Sequence, residues 1–276
     1  MARLTVYGAR GSFPVFGDAY RRYGGQTSCF TVENDQGIVV IDAGTGIRDF
    51  GLQLNERKVL PPITILFTHF HLDHVIGLPA FRPLLRKDAS ITFMGHPTIT
   101  GDWQRALQTL MGKPFWPVGL QDVEAHVQFR NLPDDGALQL NGSTLTWCPI
   151  WHPQMCLSYK IATPNATIVL ATDREHGEAR FDESFMAFAR RADILIHDAQ
   201  YTPEEHPSRY SGWGHSTWEQ SAQIAHQLSA KRLILTSHDP SRTDEALDQI
   251  VAQAARIFPN TQAATERMVL AEDGSA

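Results

Sequence analysis

Three imidazoles and a carboxylate fall within six residues of this chain. The segment reads Thr68-His69-Phe70-His71-Leu72-Asp73-His74, directly after the apolar run Ile63-Thr64-Ile65-Leu66-Phe67. Imidazole and carboxylate are the side chains that hold a borderline divalent metal. His69 and His71 are separated by one residue, so on an extended backbone they point the same way. Asp73 and His74 lie beyond them, where the chain must turn. Four such donors cannot all reach one tetrahedral ion and still leave room for a substrate, so two ions sharing the segment is the simpler geometry. Further ligands must then come from elsewhere, and His152, Asp173 and His238 qualify. Each follows an apolar strand-like run: Thr144-Leu145-Thr146-Trp147-Cys148, Thr167-Ile168-Val169-Leu170-Ala171 and Leu233-Ile234-Leu235-Thr236.

The elements that would position these groups are legible as alternating short runs. Strands are expected at 4–7, 28–32, 38–41, 63–67 and 91–93, and again at 127–129, 137–140, 144–148, 157–161, 167–171, 194–196 and 233–236. β-Branched and aromatic residues bounded by turn signals such as Asp35-Gln36-Gly37 mark them. Helices are expected at about 45–54, 99–111, 182–190, 217–228 and 242–257, the fourth opened by a capping box from Thr217 to Gln220. Strands with flanking blocks of helix suggest stacked layers, helices outside and two sheets inside.

The chain has 276 residues, of which 42% are hydrophobic, and carries a formal charge of −6. No linker, repeat or low-complexity tract divides it, so one domain over 1–276 is expected. The acidic balance argues against an extended nucleic-acid partner, and no stable nucleic-acid complex is expected. It leaves room for a small phosphodiester substrate, because metals supply positive charge locally. The cysteines Cys29, Cys148 and Cys156 form no C-x-x-C pair. They read as buried reduced thiols. No run reaches membrane-spanning length, and a cytoplasmic protein is the expectation.

The 68–74 segment resembles the H-x-H-x-D-H motif of the metallo-β-lactamase superfamily, and His152, Asp173 and His238 match its later motifs in order. Gly8-Ala9-Arg10-Gly11-Ser12-Phe13-Pro14, Ile41-Asp42-Ala43-Gly44-Thr45-Gly46, Ile196-His197-Asp198-Ala199-Gln200-Tyr201 and Gly214-His215-Ser216-Thr217 are similar to motifs of its phosphodiesterase branch, the ribonuclease Z-like and cyclic phosphodiesterase-like enzymes. The resemblance covers nearly the whole chain. It implies an α/β fold, the four-layered αββα metallo-β-lactamase sandwich. It implies one ion on His69, His71 and His152, another on Asp73, His74 and His238, and Asp173 between them. Zinc suits these donors; manganese and iron(II) also do. A homodimer is a family-based expectation.

Two such ions, about 3.5–4 Å apart, lower the pKa of a shared water and yield a bridging hydroxide. An in-line attack also needs a proton donor for the departing oxygen. His215 is the candidate, with Asp198 holding its other ring nitrogen and Asp73 counted among the catalytic residues besides its ligand role. The pair resembles the proton relay of ribonuclease Z-like enzymes, where the position of Asp198 commonly carries Glu. Arg10 reads equally as a phosphate contact or as a buried cation locking the N-terminal loop. Asp42 reads as support for a ligating histidine. His197 reads as structural, and His96, His126, His176, His206 and His226 as surface polar groups. The stretch 111–119 reads as a lid over the pocket or a packing loop.

The expected activity is a binuclear metal-dependent phosphodiesterase hydrolysing a small cyclic phosphate or cyclic nucleotide. The alternatives are a tRNA 3′-processing endonuclease and a carboxylic ester or lactone hydrolase on the same fold. A silent ligand-binding scaffold is disfavoured, since so many convergent charges are costly without metal.

Overall fold

The computed structural model of the protein describes residues 3–134, 136–140, 142–163 and 166–272. Its strands form two seven-stranded sheets. The first contains β1 (Arg3–Gly8), β2 (Cys29–Asn34), β3 (Gly37–Ile41), β4 (Ile63–Leu66), β5 (Ser90–Gly95), β6 (His126–Asn131) and the late strand β14 (Val269–Glu272). The second contains β7 (Ala137–Leu140), β8 (Ser143–Ile150), β9 (Cys156–Ala162), β10 (Thr167–Ala171), β11 (Ile194–Asp198), β12 (Arg232–Thr236) and β13 (Thr261–Ala263). The orders are β14-β1-β2-β3-β4-β5-β6 and β13-β12-β11-β10-β9-β8-β7. Each sheet is half antiparallel and half parallel. β3 to β6 run parallel, as do β10 to β13.

Side-chain alternation shows how the sheets stack. Along β10, Ile168 and Leu170 join the core between the sheets, whereas Val169 and Ala171 join the core under the helices. β11 repeats this with Ile194 and Ile196 against Leu195. A strand apolar on both faces is what a layer buried on both sides requires. Helices α5 (Ala179–Ala189), α6 (Trp218–Gln227) and α7 (Asp244–Ile257) cover the second sheet, and α1 (Ile47–Asn55) packs on the first. The arrangement is the expected αββα sandwich. Among the described residues no helix is long and apolar enough to cross a membrane.

The strands fall where the sequence places them, apart from β13 and β14, which no run of alternating residues announced. The helix expected at 99–111 is instead two: α3 (Pro97–Thr100) and α4 (Trp103–Leu110). Gly101 between them sits at φ 61°, and the Asp102 side chain accepts from Arg105 N to cap the second helix. Gly at a helix end followed by an Asp cap is a stop-and-restart signal. The capping box of α6 is present, with Thr217 accepting from Gln220 N and the Gln220 side chain accepting from Thr217 N.

The parallel strands decide where a site can form. Their carboxyl ends open on one rim, the usual place for ligands in parallel sheets. Asp42 follows β3, the 68–74 segment follows β4, Asp173 follows β10, Asp198 ends β11 and His238 follows β12.

Candidate metal centre and proton relay

Asp42 anchors the floor of the site. Its fully buried carboxylate accepts from Thr68 N at 2.8 Å, from the Thr68 hydroxyl at 2.9 and 3.0 Å, and from Ser28 Oγ at 3.1 Å. His74 Nδ1 donates to it at 2.6 Å. That bond fixes the tautomer of His74 and turns Nε2 toward Asp73 Oδ2 at 3.4 Å and Asp173 Oδ2 at 3.3 Å. A carboxylate holding the far nitrogen of an imidazole is the usual support of a metal-ligating histidine.

Asp173 is the point on which the other groups converge. Its Oδ2 lies 3.5 Å from His69 Nε2, 3.9 Å from His152 Nε2 and 4.0 Å from His215 Nε2. His152 Nδ1 donates to the Gly214 carbonyl at 2.7 Å, and its Nε2 stands 3.0 Å from His71 Nδ1. Asp73 Oδ2 accepts from Ser12 N at 2.7 Å. Two donor sets draw on the 68–74 segment: His69, His71, His152 and Asp173, and then Asp73, His74 and Asp173; a third convergent group, Asp173, Asp198 and His215, adjoins them.

These donors fit divalent ions by a test internal to the protein. The Nε2 atoms of His69 and His74 are buried and make no hydrogen bond. A buried polar atom left unpaired costs about 1–3 kcal/mol. Here both are aimed at one carboxylate oxygen, and a cation among them satisfies all three. The electrostatics of the first set agree. Burial drives His69 well below its ordinary pKa, so its nitrogen is a lone-pair donor. Burial also pushes His152 down, to about 4. For Asp173, burial opposes ionisation, but the surrounding histidines, His74 foremost, hold it well below the carboxylate range.

His238 lies apart from both donor sets. Its Nε2 is engaged by the Ala264 carbonyl at 3.0 Å, and it joins neither group of convergent atoms. Its neighbour Ser237 reaches the centre instead, donating to Asp173 Oδ1 at 3.2 Å. The place of His238 after β12 was readable, but the direction of its ring depends on the 263–268 segment, which no local pattern reveals.

Across Asp173 sits a second device. His215 Nδ1 and Asp198 Oδ2 are 2.6 Å apart, so the short aspartate closes the distance. Asp198 also accepts from the backbone N–H groups of Arg174, Gln200 and Ser216 at 3.1–3.2 Å. Burial opposes charge on the His215 ring, but Asp198 and Asp173 outweigh it and lift its pKa to about 9. Burial raises Asp198 to about 6 against the pull of His215. At neutral pH the two form an ion pair with His215 Nε2 available to the cavity. Gly214, at φ 91°, is required next to it: a Cβ there would stand 2.1 Å from His152 Nδ1.

One residue of this device escaped the sequence reading. The Glu175 carboxylate accepts from Gly212 N at 2.6 Å and Gly214 N at 2.7 Å, clamping the loop that presents His215. Its place two residues after Asp173 was the one available signal. Arg10 proves to be the lock rather than a phosphate contact, donating to the carbonyls of Gly24, Asp239 and Arg242. His197 is buried and structural. His176, His206 and His96 depart from the surface reading: their side chains are 15%, 12% and 16% exposed, and His176 stacks on His197. The 111–119 stretch contributes no residue to the lining of the cavity over the metal donors; its Phe115 lines a separate apolar pocket with Phe70 and Leu72. That cavity is about 780 Å³ and is bordered by His71, Asp73, Asp173, His215, Tyr210 and Trp213 among others. All three cysteines are free and buried.

Comparison with known proteins agrees with this geometry. Residues 38–238 match the family described as Beta-lactamase superfamily domain. A ribonuclease Z of Geobacillus kaustophilus (strain HTA426) is 38% identical over 90 residues, which are 33% of this chain and 29% of that protein. The chain thus spans less than a third of the length of the ribonuclease Z relatives it matches. Over nearly the full chain the fold is that of the metallo-β-lactamase fold protein YhfI from Bacillus subtilis, with TM-score 0.75, 20% identity, and coverage of 98% and 100%. A diphosphatase from the PhnP family gives TM-score 0.70 at 22% identity, covering 98% and 96%. The chain belongs to the metallo-β-lactamase superfamily.

Proposed function

We propose that the protein is a binuclear metal-dependent phosphodiesterase acting on a small cyclic phosphate or cyclic nucleotide. His69, His71 and His152 would hold one ion, Asp73 and His74 the other, with Asp173 shared. Zinc is the first choice for these donors, with manganese or iron(II) as alternatives. His238 stands outside both donor sets, with its Nε2 committed to Ala264 O. When bound, the two ions supply a water-derived nucleophile at neutral pH and positive charge against a phosphoryl group.

The chain's own residues do the rest. Asp198 holds the His215 ring by Nδ1 and keeps it cationic. His215 Nε2 then gives its proton to the departing oxygen as the phosphorus–oxygen bond breaks and its electron pair moves to that oxygen. The clamp of Glu175 on Gly212 and Gly214 keeps the ring in place. The observation that carries this reading is the position of His215 Nε2, 4.0 Å from the carboxylate on which the donor histidines converge. An acid so placed suits a leaving group that needs a proton.

Processing of precursor tRNA is the second reading, favoured by the ribonuclease Z relatives. Against it stand the formal charge of −6 and the cavity lining, in which Arg209 is the lone Arg or Lys among the described residues. One screen separates the readings: cyclic mononucleotides, ribose cyclic phosphates, a carboxylic ester and precursor tRNA, each with zinc- or manganese-loaded protein. Turnover of a cyclic phosphate is expected. Cleavage confined to precursor tRNA, or to the ester, would replace this function with another.

A further inference from the structure

A row of aromatic rings leads away from the proton donor. The Tyr201 ring meets His215 edge-on at 5.7 Å, and Tyr210 stacks on Tyr201 at 4.3 Å with only 4° between their planes. Trp213 meets Tyr210 edge-on at 5.4 Å. Tyr201 is buried, Tyr210 half-buried, and Trp213 61% exposed at the cavity mouth. The row therefore begins at the group placed to protonate the departing oxygen and ends in solvent. Tyr201 covers one face of Tyr210 and the Arg209 guanidinium lies over its ring, so what remains for a ligand is the Trp213 indole.

Several features keep this wall in place for a ligand. Glu175 clamps the backbone on either side of Trp213 through Gly212 N and Gly214 N. A short π-helical turn, His206–Tyr210, carries Tyr210. Arg209 lies over the Tyr210 ring, 5.2 Å to its centroid, and lines the same cavity. An exposed indole on a pinned loop, facing a polar cavity, is a stacking platform. Base–aromatic stacking is sequence-tolerant because every base has a π-face. The cavity volume, about 780 Å³, lies in the range of small-ligand sites and admits more than a bare ribose phosphate.

We propose that the site takes a nucleoside-bearing phosphodiester, with the base stacked on Trp213, whose indole Tyr210 braces edge-on, on the His215 side, the side of the departing oxygen. This deepens the phosphodiesterase reading and rests on it for the reaction, though not for the binding. A base-free sugar phosphate would leave the wall in water and lose that contact. Arg209 would lie against a phosphate oxygen or the edge of the base.

Two measurements on zinc-loaded protein test this. Calorimetric titration compares adenosine 5′-monophosphate with ribose 5-phosphate, and steady-state kinetics compare adenosine 2′,3′-cyclic phosphate with the methyl riboside 2,3-cyclic phosphate. The wild type is expected to favour the base-bearing member of each pair by tenfold or more. Trp213→Ala and Tyr210→Ala should each cut that ratio at least fivefold, the kinetic change falling mainly in KM. A wild-type binding ratio within twofold of unity, or a ratio that neither substitution moves, overturns the proposal. Absence of turnover with both cyclic phosphates would remove the phosphodiesterase reading, while the titrations still decide whether the wall holds a base.

Discussion

Two buried histidine clusters lie a few residues apart in this protein, and they were built for opposite ends. One contains His69, His71, His74 and His152 around Asp173. The other contains His176 and His197 around Arg174. In the second, Arg174 already supplies the cation. Its guanidinium sits against both ring nitrogens of His176 at 2.6 and 2.9 Å, 3.4 Å from His197 Nε2 and 2.5 Å from Asp182 Oδ1. Nδ1 of His197 donates to the Asp198 carbonyl at 2.9 Å. In the first cluster the rings converge on the Asp173 carboxylate, and two Nε2 atoms are unpaired. Burying imidazoles therefore does not make a metal centre. A metal centre needs ring nitrogens that converge on a carboxylate with nothing else to satisfy them.

The sharpest way to break this contrast is to remove Asp173. Asp173→Ala should reduce bound zinc from two ions per chain to below one. Turnover should fall by about a thousandfold or more, since the shared charge of the site is lost. Metal content by mass spectrometry and melting of the same sample distinguish metal loss from unfolding. A variant that keeps two ions would end the claim that the donors converge there. His215→Ala comes next. Its turnover should fall by about 10²–10⁴, the usual worth of a positioned general acid, with zinc content unchanged. Equal loss of metal in the two variants would take His215 out of the relay and make it a support of the centre.

The first cluster was legible because its donors are crowded: four within six residues, directly after the run Ile63-Thr64-Ile65-Leu66-Phe67. His152 and Asp173 were legible for the same reason, each a polar group ending an apolar run. His238 satisfies that rule too, yet its ring is bound to the Ala264 carbonyl. The rule locates a residue on the rim and says nothing about where its ring turns. The second cluster was not legible. His176 and His197 are twenty-one residues apart, and Arg174 joins them only because β10 and β11 lie side by side, pairing Ala171 with His197. The aromatic wall was missed likewise, for Tyr201, Tyr210 and Trp213 share a loop with no period to betray it. The fold was readable where strands alternate or run apolar. It was not at β13 and β14, whose pairing with distant strands, rather than local pattern, makes them strands.

Replacing Arg174 sharpens the contrast from the other side. The guanidinium is 1% exposed and packs over the Phe185 ring at 4.4 Å. Arg174→Met keeps the packing stem and removes the charge, leaving the Asp182 carboxylate and two rings without their partner. Asp182 is 29% exposed and keeps the Gly177 N–H, so the cost is that of unpaired buried ring nitrogens, about 1–3 kcal/mol. Urea unfolding of the metal-free protein should show a loss of that size. Zinc stoichiometry should stay at the wild-type value. A fall in zinc content with little change in stability would mean that the two clusters are one network.

The smallest effect concerns the proton that His197 refuses. Burial, and then the adjacent charge of Arg174, depress its pKa to about 3. The groups facing it are Arg174, the stacked His176 ring, the Phe185 edge and Ser221. None of them is an acid side chain that could welcome a charge. A ring held neutral in the folded state and titrating near 6.5 when unfolded stabilises the fold fully above about pH 6.5. That contribution is lost as pH falls toward 3, because the unfolded chain binds the extra proton. His197→Asn keeps a donor for the Asp198 carbonyl and removes the titrating group. Its stability should be lower than wild type at pH 7 and should fall less steeply with acid. Near pH 5 the slope should be shallower by up to about 1.4 kcal/mol per pH unit, the worth of one proton. Unfolding curves at pH 4.5, 5.5 and 7 on metal-free protein measure it. Parallel curves for the two proteins would mean that His197 carries its proton in the folded state, and that Arg174 is not the cation of that cluster.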